Sequence, residues 1–308
     1  MKVLIINIDK NYQRKGKKHF YNLAIEKIKR YHMNRGDTVI EDFPLASSNS
    51  DIIYVSCIFT SNREKAYEWD WIIGQGRGMI GGTGYNIKSV LPPEIDRVRP
   101  LINMDFATRG CIRNCPFCFV PEKEGHIRAD RNLYDIWDGK AREVVLMDNN
   151  ILALPEHFKL ICEQAQQEKV KIDFNQGLDF RLITDEIANI ISKTRISELR
   201  LALDHISNID LFEKKLNILR RHKPCWPFVY VLAGFNSTYE DTVERLIFLK
   251  KMKCRPYLMR HENIKGQRIY NELAQWVNQN AFFQKYTYEQ YKIARNKYTK
   301  KIAKKLCQ

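Results

Sequence analysis

The chain has no run approaching the ~18 uninterrupted apolar residues that a membrane helix needs, so no bilayer-spanning helix is expected. Its opening residues turn polar after a handful of apolar positions (Val3 to Ile8) and lack a small-residue cleavage site. A first β-strand is expected there instead of a signal peptide, and with it a cytoplasmic protein. Glycine and proline number only 14 and 10 among 308 residues, beside 44% hydrophobic and 28% charged residues, which argues against a collagen-like or disordered chain. Acidic charge is the minority: 36 Asp+Glu face 51 Lys+Arg, a formal net charge of +15. The length suggests about two domains, or one large α/β unit with an appendage, able to bury a core without disulfides.

The positive excess is uneven. Residues 1–100 carry a net +5, residues 101–280 a net +3 and residues 281–308 a net +7, with a smaller basic run at Arg14–Lys18. Such a field can recruit nucleic acid and equally serves solubility. In the tail, basic residues interleave with Tyr286, Tyr288, Tyr291 and Tyr298. That pattern suits phosphate contact with base stacking, or a basic amphipathic helix whose aromatic stripe packs on the fold.

The eight cysteines divide into two kinds. Cys57, Cys162, Cys225, Cys254 and Cys307 are scattered and read as small buried hydrophobes. The other three fall within eight residues, Cys111-Ile112-Arg113-Asn114-Cys115-Pro116-Phe117-Cys118, preceded by Thr108-Arg109-Gly110. This is a loop, where apolar packing does not demand three thiols. Without a secretory signal a disulfide framework is not expected, and clustered thiols point to a metal or redox site. Structural zinc would need a fourth ligand, for which His126 is the local candidate. A 4Fe–4S cluster ordinarily takes four thiolates, and with three it leaves one iron open to a small molecule.

Downstream, short apolar runs alternate with helical periodicity, the sign of repeated βα units. Strands are expected at 101–107, 143–148, 170–175, 198–203, 227–233 and 255–260, and helices at 130–139, 155–168, 184–193, 208–222, 239–252 and 266–279. In folds of this kind, chemistry collects at the carboxyl ends of the strands. Those ends are polar here: Asp148-Asn149-Asn150, Asn175-Gln176-Gly177 with Asp179 and Arg181, Asp204-His205, Gly234, and Arg260-His261. Each has a simpler use as a turn, a helix cap or an ion pair.

The spacing Cys-x3-Cys-x2-Cys, with Phe117 before the last Cys, resembles the signature of the radical S-adenosylmethionine (SAM) superfamily. The resemblance implies a partial (β/α)6 TIM-like barrel, with Cys111, Cys115 and Cys118 holding a single 4Fe–4S cluster. It implies SAM on the open iron, cleaved reductively to methionine and a 5′-deoxyadenosyl radical, with an electron donor such as flavodoxin or ferredoxin. Asp148-Asn149-Asn150 stands where most of the superfamily has Gly-Gly-Glu, and looks like the subset with a cobalamin-binding-domain-like N-terminal domain. On this resemblance Phe117, Asp148, Asn149, Asn150, Gln176, Asp204, Gly234 and Arg260 are candidate SAM contacts, with Asp148 or Asn149 accepting from its ammonium. Asp179, Arg181, His205 and His261 are candidates on the substrate side. The Gly234 turn resembles the adenine-contacting segment, although Ser237 replaces the Glu expected there.

The first hundred residues suggest a small Rossmann-like three-layer α/β domain: a strand at Val3–Ile8, a helix at about 18–34, and strands at Thr38–Glu41 and Ile52–Phe59. The short apolar segment Trp71–Gly74 precedes a glycine-rich stretch, 74–84, read as strand–turn–strand with close packing and not as a phosphate loop. Pro92-Pro93 reads as a linker. The domains expected are 1–95 (cobalamin-binding-like), 96–265 (radical SAM core) and 266–308 (basic helical extension). The cobalt-ligating Asp-x-His-x-x-Gly pattern of cobalamin-dependent relatives is missing after the first strand: Asp9-Lys10-Asn11 lacks the His, and His19 is misplaced. That argues against cobalamin and for a degenerate domain. Cys57 alone cannot supply the second cluster of methylthiotransferases. Two alternatives stand beside this reading: a cobalamin-dependent methyltransferase, and a non-catalytic metal-stabilised nucleic-acid-binding protein. The positive charge makes nucleic acid or a nucleotide the candidate substrate.

Overall fold

The computed structural model describes residues 1–10 and 21–296. The basic run Arg14–Lys18, His19, Tyr298 and Cys307 lie outside the described residues. The chain is mixed α/β with parallel sheets, and its packing divides it into two units, Met1–Asn149 and Asn150–Gln308. This division cuts through the segment expected to form one core.

The first unit begins with a four-stranded parallel sheet ordered β2-β1-β3-β4, from β1 (Lys2–Asn7), β2 (Thr38–Glu41), β3 (Ile52–Ser56) and β4 (Gly78–Gly81). Alternation along β1 builds two apolar layers, because successive side chains of a strand point to opposite faces. Val3 and Ile5 pack with Ile25 and Ile28 of helix α1 (Leu23–Asn34) and with Tyr54 and Ile95. Leu4 and Ile6 pack with Ile53 and Val55, covered by Trp69, Ile72 and Ile73. A short helix α2 (Arg63–Tyr67) precedes α3 (Asp70–Ile73), which is what the apolar segment at 71–74 forms. The glycine-rich stretch supplies a single strand, β4, followed by turns. The close packing is real: a Cβ at Gly78 or Gly82 would overlap the backbone of Ile53 or Cys57. Pro92-Pro93 is not a linker. It starts a one-turn helix α4 (Pro93–Asp96), and Ile95, 2% exposed, joins the core of the first sheet. Proline suits this first helical turn, where its missing N–H is no loss.

The rest of the first unit carries β5 (Met104–Asp105), β6 (Thr108–Arg109), α5 (Val120–Glu124), β7 (Arg128–Ala129), α6 (Leu133–Ile136) and β8 (Glu143–Leu146). The strand expected at 101–107 is cut short. The chain bends at Phe106-Ala107, and Thr108-Arg109 pairs antiparallel with Arg128-Ala129 instead of continuing parallel to its neighbour.

In the second unit, α7 (Pro155–Gln167), β9 (Lys171–Phe174), α8 (Asp185–Lys193), β10 (Arg200–Ala202), α9 (Ile209–His222), β11 (Phe228–Ala233), α10 (Tyr239–Lys251), β12 (Arg255–Arg260) and α11 (Arg268–Val277) follow the expected alternation closely. Strands β10, β11 and β12 form a parallel sheet in register, Ala202 beside Tyr230 and Ala233 beside Arg260. One face, through Leu201, Val229, Val231, Ala233 and Leu258, is buried. Helix starts follow capping chemistry: the Thr238 side chain accepts from Asp241 N and Asp241 returns the bond, while Thr184 accepts from Ile187 N. A last short helix, α12 (Asn280–Lys285), precedes a helical stretch at 288–296.

Candidate functional site

Cys111, Cys115 and Cys118 lie on the loop that β6 and β7 close. All three are half-buried, and Ile112, Asn114, Pro116 and Phe117 between them are exposed. The base of this loop is tightly drawn. Cys111 N donates to Gly125 O (3.2 Å), and Cys118 N donates to Cys115 O (2.9 Å). Gly110 sits at φ +83°, where a Cβ would overlap the carbonyls of Gly125 and His126, so only glycine lets the two legs approach. The amide of Arg113 donates to Cys111 Sγ (3.3 Å). On the far leg, Lys123 donates to the carbonyls of Ile87 (3.1 Å) and Ser89 (2.9 Å).

Asp148 is placed at this base, not at an open site. It is 4% exposed and accepts from the Thr108 amide, from Thr108 Oγ1 (2.5 Å) and from Ala107 N (3.4 Å). Burial pushes its carboxyl up to about 6, against the pull of the Thr108 and Ala107 donors. Its acceptor capacity therefore holds the bend that leads into the cysteine loop. Beside it, Asn149 Nδ2 is buried with no hydrogen-bond partner among the described residues. An unsatisfied buried donor suits an acceptor oxygen such as a carboxylate.

A network of buried charges that the sequence reading missed braces the same region. Lys27 of α1 is fully buried and binds Asp96 (2.8 Å) and Asp105 (3.0 Å). Arg131 lies 3.3 Å from Asp105 and donates to Asp96 O (2.5 Å). Arg109 reaches Asp96 (3.0 Å), Glu124 (3.4 Å) and Asp130 (3.0 Å), and its guanidinium lies 4.5 Å from the centre of the Phe106 ring. Burial pushes the Asp105 carboxyl above its ordinary range despite Lys27 and Arg131. For Asp96 burial works the same way, but Lys27, Arg109 and Arg131 outweigh it and hold the carboxyl below its ordinary range. The only signal in the sequence was Lys27 itself, a lysine between the apolar positions Ile25 and Ile28 of an amphipathic helix.

At the carboxyl ends of the second unit's strands, several of the candidate site residues cap turns. Asp179 accepts from Arg181 N (3.2 Å), His205 Nδ1 from Ser207 N (3.2 Å), and His261 Nδ1 from Asn263 N (3.3 Å), each starting a short 3-10 turn. Asp179 also takes a two-pronged ion pair from Arg181 (2.6 and 3.1 Å) and a bond from Asn150 Nδ2 (3.3 Å). Arg260 pairs with Asn271 on α11, and Gln176 is exposed. Gly234 is at φ +81°, and Ile264 fills the space its Cβ would need, so packing requires glycine there. Asp204 accepts from Leu232 N (3.1 Å), and burial raises its carboxyl above the ordinary range against the pull of Leu232 N, Arg245 and Arg181. Arg245 of α10 is fully buried and donates to the carbonyls of Leu203 (2.9 Å) and Leu232 (3.1 Å). The sequence reading did not find it, because one arginine on a helix carries no mark of burial.

Among the described residues, no three His, Cys, Asp or Glu side chains are drawn together as a preformed metal group. His126 is exposed, and its carbonyl, through the approach to Gly110, is what touches the loop. The donor chemistry nevertheless fits an iron–sulfur centre: three half-buried thiols on one short loop, one with an amide aimed at its sulfur, beside an orphaned donor. Cys57, Cys162 and Cys254 are fully buried, and burial pushes the latter two thiols up to about 12, as inert core residues. In the tail, Tyr291 is buried, the Tyr288 ring packs at a tilt against Trp276 (5.3 Å between centres) and the Tyr286 carbonyl accepts from Trp276 Nε1 (3.1 Å). These described tyrosines pack into their own unit. The chain matches no protein-family model and no curated protein.

Proposed function

We propose that this protein is a radical SAM enzyme built on a partial (β/α)6 barrel, with Cys111, Cys115 and Cys118 as the ligands of a single 4Fe–4S cluster. The cysteine loop carries the reading: three half-buried thiols at the resembling spacing, on a loop whose base is fixed by Gly110, Cys111 N and Asp148. When bound, the cluster supplies the electron for reductive cleavage of SAM. The chain's own part is to bind and orient. Asn149 Nδ2 offers a buried donor to the SAM carboxylate. Asp148 is committed to Thr108, so this reading does not use it for the ammonium. On the resemblance, Gln176, Asp204, Gly234 and Arg260 remain candidates for SAM, and Asp179, Arg181, His205 and His261 for substrate. A flavodoxin- or ferredoxin-like donor, a nucleic-acid or nucleotide substrate and a cytoplasmic location complete the proposal. The N-terminal sheet serves as a degenerate cobalamin-domain-like unit, and copurifying cobalamin would move the reading to methyl transfer. The test is anaerobic reconstitution followed by incubation with SAM and a reductant. 5′-Deoxyadenosine is expected. Its absence with about four irons per chain and intact cluster absorbance sinks the proposal.

A further inference from the structure

We infer that Arg109 is the positioning residue of the cysteine loop, holding its two ends at the spacing the three thiols need to act as one ligand set. Arg109 is the last residue of β6, two positions before Cys111. One of its partners, Glu124, ends α5 beyond Cys118, so the pair at 3.4 Å spans the whole loop. A second, Asp130, follows β7 on the returning leg (3.0 Å). The third, Asp96, is fixed from behind, because its carboxylate also binds Lys27 (2.8 Å) and its carbonyl takes Arg131 (2.5 Å). One side chain therefore ties the outgoing leg, the returning leg and the sheet-bearing part of the unit together. Only a guanidinium has enough donors, in a rigid fork, to serve three carboxylates at once. The Arg109 side chain is 13% exposed and stacks on Phe106, so the fork is held in place and is not a solvated surface pair. The rim of the loop is exposed at Ile112, Pro116 and Phe117, whereas Arg109 is largely buried at its base.

This inference rests on the cluster reading only for its consequence, since the positioning is measurable without metal. Full-length reduced protein, stripped of metal, is treated with iodoacetamide and each cysteine is followed by mass spectrometry. In Arg109→Gln, alkylation of Cys111, Cys115 and Cys118 is expected to rise about three- to tenfold, with buried Cys57, Cys162 and Cys254 as internal controls. Arg109→Lys, which keeps the charge but not the fork, should recover part of the difference. A folded Arg109→Gln with unchanged loop rates overturns the inference. Should all six cysteines speed up together, Glu124→Gln, which breaks only the loop-spanning contact, decides: a rise confined to the loop supports the inference and none overturns it. After reconstitution, the low-temperature electron paramagnetic resonance signal of the reduced cluster should broaden in Arg109→Gln and sharpen again in Arg109→Lys. Failure of wild-type protein to take up iron would sink the cluster reading and leave the alkylation result standing.

Discussion

Around the cysteine loop, charge is buried against charge, whereas at the carboxyl edge of the second unit's sheet polar side chains cap turns above an apolar core. Lys27 and Asp105 hold the first region through a fully buried ion pair, which Arg109, Arg131 and the partly exposed Asp96 extend. In the second, Asp179, His205 and His261 each accept from the backbone amide two residues on, Asp179 also pairing with Arg181. The contrast is one of tolerance. A buried ion network loses a partner at high cost because the remaining charge is stranded, while a cap loses one bond that water replaces. The first region is built to keep one geometry, and the second to accept variation at its rim.

The largest expected effect comes from stranding the network. Lys27→Met leaves Asp96 and Asp105 without their shared cation and should cost about 3–5 kcal/mol of unfolding free energy in urea titrations. A loss below 1 kcal/mol would erase the contrast. Next come the two glycines. Gly110→Ala meets backbone carbonyls that cannot move aside and should cost about 3 kcal/mol, whereas Gly234→Ala meets the Ile264 side chain and should cost less. Adding Ile264→Ala to Gly234→Ala should recover part of its loss, which no single side-chain deletion can do for Gly110→Ala.

Asp148 gives a pH-dependent handle on the first region. Its folded value of about 6 lies above the ordinary 3.8, so the folded state holds the proton more tightly than the unfolded chain. The protonated carboxyl stabilises the fold fully below pH ~4, and that contribution is lost as pH rises through ~6, on the order of 2–3 kcal/mol in all. Asp148→Asn keeps an acceptor for Thr108 and never ionises. Its stability relative to wild type should therefore climb between pH 4.5 and 7.5, and parallel curves would refute the assignment. The smallest effects belong to the rim: His205→Ala and His261→Ala should each cost about 1 kcal/mol or less.

The alternation of strands and helices from 143 to 277 was legible because helical and strand periods differ, and Thr184 and Thr238 announce their helices. The sheet of the first unit was legible from the apolar runs at 3–8 and 52–59. The bend at Phe106-Ala107 was not, because a continuous apolar run does not reveal where a strand changes partners. Pro92-Pro93 misled for a related reason, since the same dipeptide suits a linker and a helix start. At the site, the cysteine spacing stood out, while the capping bonds of Asp179, His205 and His261 at the polar strand ends depend on the local turn and were not legible as such. In the sequence Arg109 reads only as part of a loop. Its role depends on three carboxylates, at 96, 124 and 130, that only the folded chain brings within reach.

Arg245 takes carbonyls from the ends of two neighbouring strands while anchored on the helix that covers them. A guanidinium does not surrender its proton at any pH a cell reaches. The Arg245 side of the joint is therefore blind to pH: its bonds to the Leu203 and Leu232 carbonyls should persist under the mild acid that changes the charge on Asp148.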